Sequence, residues 1–92
     1  MDTLQDLLNK VAQIHSKAEI IYKEDMVPSS LKNEYRNKVS QYESMYDSVE
    51  TMKQMTDSDD TMNNLINQQI EILRVRIKWE LEWANRAAGY LI

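Results

Sequence analysis

The C-terminal stretch RVRIKWELEWANRAAGYLI, residues 74–92, carries the side chains best suited to binding a ligand. It holds both Trp residues of the chain, four of its eleven basic residues and its only Gly. A helix places residues three and four apart on one face. That spacing gives one stripe of aromatic, basic and aliphatic side chains, hereafter the aromatic stripe, formed by Ile72, Arg76, Trp79, Trp83, Arg86 and Tyr90.

Guanidinium groups that alternate with aromatic rings are typical of two kinds of surface. A nucleotide requires rings on which a base stacks and cations that pair with phosphate. Trp79 and Trp83 lie one turn apart, about 6 Å along the axis, and could flank a base. The predicted ligand-binding residues are therefore Arg76, Lys78, Trp79, Trp83, Arg86 and Tyr90. The alternative is a subunit interface, where Trp and Arg are enriched, and a ligand at a subunit boundary would satisfy both interpretations.

Other chemistry finds little support in the sequence. His15 falls on the polar side of its helix without a Cys or a second His, which predicts a solvated imidazole. Asp57, Asp59 and Asp60 resemble a calcium loop but lack its Gly and its terminal Glu, so a helix-capping role is favoured. One Gly excludes a Gly-rich phosphate loop, and no motif places a base beside a nucleophile. We expect no catalytic residue, no metal ligand and no cofactor.

The composition predicts helix almost throughout, because 92 residues include one Gly and one Pro while good helix formers dominate. We expect a single domain over 1–92 with helices at about 3–25, 30–56 and 59–91. Thr3 and Asp6 form a capping box ahead of the first apolar stripe. Pro28 ends the first helix, with Ser29 or Ser30 as a cap for the second. The segment TDSDD gives the next turn, with Ser58 or Asp59 as the cap.

The third helix has two apolar faces and therefore needs two partners. One stripe is aliphatic, is expected to pack on the first two helices, and holds Ile66, Ile70, Leu73, Ile77, Leu81, Ala84, Ala88 and Leu91, with Leu65 standing apart. The aromatic stripe would remain in water unless another subunit covered it. The predicted fold is therefore all-α, an antiparallel helical hairpin or three-helix bundle with a long C-terminal helix, assembled as a homo-oligomer.

Charge limits the partners. The chain carries a net charge of −4, and its only positive region is residues 74–92, with four basic and two acidic side chains. This balance disfavours duplex DNA, whose phosphates dominate its binding energy, but permits a small anion in a local basic pocket. No apolar run is long enough for a membrane span and no export signal is recognisable, so we expect a cytoplasmic protein without a membrane partner.

The segment IKWELEWANRAAGYL resembles the terminal helix of the small phage hairpin proteins that act as anti-CBASS and anti-Thoeris sponges. The matching positions are Arg76, Ile77 and Lys78, followed by Trp83, Ala84, Arg86 and Ala87. Val75 and Glu80 depart from the small residues that the family tends to place there. The resemblance implies a non-enzymatic counter-defence protein that sequesters a cyclic oligonucleotide signal at subunit interfaces in the host cytoplasm.

A second class stays open, in which the ligand is a host protein. A small acidic inhibitor or adaptor would block a defence or nucleic-acid-processing protein by presenting carboxylates, first among them Glu43, Asp47 and Glu50. The methionines near the second turn could form an adaptable partner surface or fill gaps in the core: Met45, Met52, Met55 and Met62. Basic side chains at Arg76, Lys78 and Arg86 that converge in solvent favour the sponge, whereas internal ion pairing favours the protein inhibitor.

Overall fold

Three helices make up the chain in a computed structural model that describes residues 3–92 and, of Thr3, the backbone alone. Helix α1 spans Thr3–Tyr22, α2 spans Ser29–Met55 and α3 spans Asp59–Ala88, followed by a 3-10 turn at Gly89–Leu91. The Cα atoms extend over 51 × 26 × 14 Å, so the helices lie side by side in an elongated body. The predicted all-α class is confirmed, and residues 3–92 contain no strand.

Helix α2 begins without the predicted serine cap. Pro28 occupies the N-cap position with φ −60° and ψ 147°, and no side chain caps this end of the helix. The Pro28 carbonyl instead accepts hydrogen bonds from the amides of Leu31 and Lys32, both at 3.1 Å. Ser29 and Ser30 therefore lie inside the first turn. Proline suits this boundary because its fixed φ is compatible with the extended residue that precedes a helix.

Helix α3 begins as the sequence predicts. The Ser58 side chain accepts a hydrogen bond from the Thr61 amide at 3.4 Å, which satisfies one of the free N–H groups of the first turn. Asp59 and Asp60 follow in that turn, where a carboxylate is favoured by the helix dipole. The capping box predicted at Thr3 lies outside the side chains that the structure describes.

Helix α3 is the common support for the other two. Val11 of α1 packs in one cluster with Leu73, and Ala18 packs in another with Ala87, so α1 runs parallel to α3. Helix α2 runs antiparallel to both. The chain therefore folds as an up, down, up three-helix bundle, in which α3 is ten residues longer than α1.

Each stripe of α3 packs against its own helix. The aliphatic stripe meets α1, where Leu73 and Ile77 join Val11 in a buried cluster. The aromatic stripe, expected to need a second subunit, is covered only in part: Trp79 and Trp83 pack against α2, whereas Arg86 and Tyr90 remain exposed. Two positions differ from the expected pattern, since Leu81 is exposed and Leu65 is buried. The reason is that the centre of the buried face lies between the two stripes, where α1 and α2 both approach α3.

Candidate functional site

The buried side of α3 includes polar residues, and its side chains form one regularly spaced row, hereafter the register. Besides Ile77, seven buried side chains of α3 recur at steps of four and three: Leu65, Gln69, Leu73, Arg76, Glu80, Trp83 and Ala87. Three of these seven are polar or charged, so a search for apolar residues alone misses the register. The alternating steps of four and three could have predicted this row from the sequence, because they are the heptad spacing of helices that pack together.

The Glu80 carboxylate lies at the centre of this register with 0% of its surface exposed. The Tyr35 hydroxyl donates to Glu80 Oε2 at 2.7 Å, and Arg76 Nε donates to Oε1 at 2.8 Å. A charge withdrawn from water is tolerated only when a counter-ion and hydrogen bonds replace its solvation. Glu80 has both, and it forms a polar layer between the two apolar clusters of the core.

His15 belongs to this layer, contrary to the prediction of a solvated imidazole. Its Nδ1 atom lies 2.8 Å from the Tyr35 hydroxyl and 3.2 Å from Glu80 Oε2, while Nε2 lies 3.1 Å from Glu19 Oε1. The ring also stacks on Tyr35, with 6.1 Å between centroids. Helix periodicity within α1 could not reveal these contacts, because every partner except Glu19 comes from another helix.

Burial raises the pKa of the Tyr35 hydroxyl above its ordinary value, and the hydrogen bond to Glu80 and the charge of that carboxylate raise it further. An unfolded chain releases this proton near pH ~10, whereas the folded chain retains it. The stabilisation is therefore complete below that pH and is lost as the pH rises above it.

We expect Tyr35→Phe to lower the free energy of unfolding by about 1–3 kcal/mol at pH 8, because Glu80 loses a buried donor. The variant should also show a shallower loss of stability between pH 8 and 11 than the parent chain. Urea unfolding at both pH values measures each effect. If both proteins lose the same free energy of unfolding between pH 8 and 11, the pKa of Tyr35 does not differ between the folded and the unfolded chain.

Arg76 connects the buried layer to the surface. Its guanidinium also lies 3.8 Å from the carboxylate of Glu43, which is exposed on α2. One cation is therefore shared between an internal carboxylate and an external one. Among residues 3–92, every fully buried side-chain nitrogen and oxygen has a hydrogen-bond partner. The buried polar atoms of the layer are therefore all hydrogen-bonded within the described residues.

A groove runs between α1 and α2 above α3, hereafter the α1–α2 groove. Its first hollow has a volume of about 330 Å³, with α3 as its floor and walls formed by Leu8, Val11, Tyr42, Glu43, Tyr46 and Asp47. Its second hollow, of about 340 Å³, continues toward His15, Tyr22 and Tyr35 and shares Glu43 with the first. The groove is therefore apolar and aromatic inside, with Glu43 and Asp47 on the α2 side of the first hollow and both Arg36 and Glu43 on the α2 side of the second.

The electrostatic character of the first hollow is negative. Glu43 and Asp47 are both exposed, and Asp47 makes no ion pair among the described residues. Among residues 3–92, Arg76 is the one cation that lines the hollow, and Glu80 already pairs with it. Burial raises the pKa of the Tyr46 hydroxyl, and the nearby charges of Glu50 and Asp47 raise it further. The hollow therefore favours a cation over an anion.

Glu50 lies outside this groove, although the sequence grouped it with Glu43 and Asp47. The fully buried Gln69 donates from Nε2 to Glu50 Oε1 at 2.7 Å, and Lys53 lies 3.5 Å from the same oxygen. The hydrogen bond from Gln69 lowers the pKa of Glu50, and Lys53 lowers it further. The Glu50 carboxylate therefore links α2 to α3 through its hydrogen bond to Gln69.

The predicted ligand-binding residues divide between the interior and the surface. Trp83 is fully buried, and its Nε1 donates to the Leu31 carbonyl at 2.9 Å. Trp79 is half-buried and packs against the rings of Tyr35 and Tyr42, with centroids 6.0 and 6.3 Å away. Arg76 is buried in its two ion pairs. These three side chains hold α2 against α3.

The remaining three residues stay on the surface. Arg86 lies 3.2 Å from Glu34 of α2, which neutralises part of its charge. Tyr90 is exposed in the 3-10 turn. Lys78 is exposed and makes no ion pair within the described chain. No arrangement of Arg76, Lys78 and Arg86 converges in solvent within one chain, because Arg76 faces the core.

No protein-family model, curated protein or solved structure matches the chain. Over residues 3–92, no group of three or more His, Cys, Asp or Glu side chains could hold a metal ion. None of the helices in that range is long and apolar enough to cross a membrane. The all-α architecture and the geometry of the α1–α2 groove are therefore the basis for a functional assignment.

Proposed function

We propose that this chain is a non-enzymatic binding protein that inhibits or recruits another protein through the α1–α2 groove. The observation that carries the proposal is the placement of Glu43 and Asp47 on the rim of an aromatic groove, with Asp47 free of ion pairs among the described residues. The internal pairing of Arg76 with Glu80 also supports a protein ligand over an anionic nucleotide, because it withdraws the central cation of the aromatic stripe.

The partner should present a basic side chain next to an apolar one. An Arg or Lys can place its charge at the rim near Glu43 or Asp47 and its methylene groups along the rings of Tyr42 and Tyr46. A hollow of about 330 Å³ has room for one or two side chains. Charge complementarity of this kind increases the rate of association and selects against acidic partners.

The groove can be tested with a defined probe before a natural partner is known. We expect an amphipathic helical peptide of Leu, Ala and Arg to bind the parent chain, and a version with Glu in place of Arg to bind far more weakly. The double variant Glu43→Lys with Asp47→Lys should weaken binding of the Arg peptide at least tenfold, which is ~1.4 kcal/mol. Fluorescence anisotropy at two salt concentrations measures the affinity and its electrostatic share.

The control changes net charge by the same amount away from the groove. Glu24→Lys with Asp25→Lys reverses two exposed carboxylates in the connection between α1 and α2. This control should lose less than threefold in affinity. Equal losses in the two double variants would mean that the peptide responds to overall charge and not to the groove. If the chain instead binds a cyclic dinucleotide saturably, and Arg86→Ala weakens that binding, the result would support a protein that sequesters cyclic nucleotides.

A further inference from the structure

The α2–α3 pair leaves an apolar surface uncovered on the side of α2 that carries Met45, and this surface meets the α1–α2 groove at Ile72. Met45, Met52 and Val75 expose 48%, 46% and 43% of their surface. A hollow of about 430 Å³ lies beside Met45 and is lined by Met45, Ser48, Val49, Gln68, Glu71 and Ile72. We call the hollow and the exposed apolar side chains near it the Met45 face. Of the three exposed side chains, Met45 lines the hollow, and an exposed apolar side chain beside a hollow is typical of an interface.

The Met45 face is nearly free of charge, which is unusual on this chain. Glu71 is the single charged residue among the six that line the hollow. The neighbouring surface along α2 is formed by Ser40, Gln41, Ser44 and Met45, and none of these is charged. The carboxylates of α2 at Glu43 and Asp47 line the α1–α2 groove instead. One face of α2 therefore carries the negative charge, and the other carries exposed methionine.

We propose that a second copy of this chain docks on the Met45 face. Two molecules that each carry a net charge of −4 repel one another, and they can approach most closely where few carboxylates meet. A two-fold axis brings the same patch of both copies together. Because the hollow lies directly beside Met45, such an axis allows the Met45 side chain of each copy to enter the hollow of the other. Ser44 and Ser48 are small enough to let the two α2 helices come close.

This dimer uses a different surface from the one that the aromatic stripe first suggested. Trp83 is already buried within the chain, so it has no surface to offer a second copy. The hollow of the Met45 face and the first hollow of the groove share Ile72 but no residue of α2, so the dimer does not depend on the function proposed for the groove.

Sedimentation equilibrium tests the assembly. The parent chain should give a mass near twice 10.9 kDa at tens of micromolar. Met45→Glu should raise the dissociation constant of the dimer at least tenfold, because a carboxylate would enter the apolar hollow. Met26→Glu, at a methionine that exposes 63% of its surface in the α1–α2 connection, is the matched control and should leave the dimer intact. A parent mass of 10.9 kDa over this range, or a dimer that survives Met45→Glu, would overturn the proposal.

Cross-linking tests the geometry independently, since the chain has no Cys of its own. Ser44→Cys places a thiol close to the proposed axis and should form a disulfide between copies under mild oxidation. Ser16→Cys, at an exposed position on α1, should form at most a tenth as much. Comparable yields from the two variants would show that the disulfides come from random collision and not from this dimer.

Discussion

Replacing Arg76 with Met is expected to lower the free energy of unfolding by about 3–5 kcal/mol, because it leaves a fully buried carboxylate without a counter-ion. Tyr35 and His15 would still lie beside Glu80, but neither supplies the permanent positive charge of a guanidinium. Urea unfolding followed by circular dichroism measures the loss. This is one of the two largest effects expected from a single substitution in the chain.

A second substitution separates the lost ion pair from the lost packing. The double variant Arg76→Met with Glu80→Leu removes both charges and keeps similar volume, so it should recover most of the stability. Glu80→Leu alone should be destabilising, because it leaves Arg76 with only the exposed and longer contact to Glu43. If the two single losses simply add in the double variant, Arg76 and Glu80 are not coupled and the buried layer has been misassigned.

Replacing Trp83 with Ala should cost about 3–5 kcal/mol, since it opens a cavity where a fully buried indole now packs. It also leaves the Leu31 carbonyl without the indole N–H that it accepts at 2.9 Å. The ring of Tyr35 would lose the nearest of its aromatic neighbours, since its centroid lies 4.3 Å from that of Trp83. Thermal and urea unfolding both measure this loss.

Leu81→Ala is the matched control on the same helix. Leu81 belonged to the predicted packing stripe, yet its side chain is exposed. Its replacement by Ala should change stability by no more than about 0.5 kcal/mol, as expected for a surface position. A loss at Leu81 that equals the loss at Trp83 would indicate that the aliphatic stripe, and not the register between the two stripes, carries the core.

The helices could be predicted because their signals are local. The break at Pro28 and the cap at Ser58 depend on residues within one turn of the boundary. The apolar stripes depend only on the 3.6-residue repeat. Even so, the first helix ends at Tyr22, six residues before Pro28, and not near residue 25, so the proline marks the start of α2 and not the end of α1.

The packing could not be predicted in the same way. Apolar residues mark which faces of α3 are buried, but the centre of burial lies between them and includes Gln69, Arg76 and Glu80. A charged residue is buried only when another helix supplies its partners, as Tyr35 of α2 and His15 of α1 do for Glu80. Such partners are 45 and 65 residues away in the chain, so no periodicity within one helix reveals them.

For the candidate site, the sequence predicts which carboxylates are exposed but not the groove that they border. The sequence identifies Glu43, Asp47 and Glu50 as exposed carboxylates of the second helix, and their spacing gives each one a direction around that helix. Which of them borders a groove depends on where α1 crosses. The structure assigns Glu43 and Asp47 to the groove and Glu50 to the contact with Gln69.

A two-dimensional ¹H–¹⁵N NMR titration of the labelled chain shows where on its surface the peptide binds. With the Arg-bearing amphipathic peptide, the largest shifts should fall on the amides of the α1–α2 groove, at Leu8, Val11, Tyr42, Glu43, Tyr46 and Asp47. The amides around Lys78, Arg86 and Tyr90 should stay in place. Shifts confined to those three positions on addition of a cyclic dinucleotide, with none in the groove on addition of the peptide, would contradict the assignment.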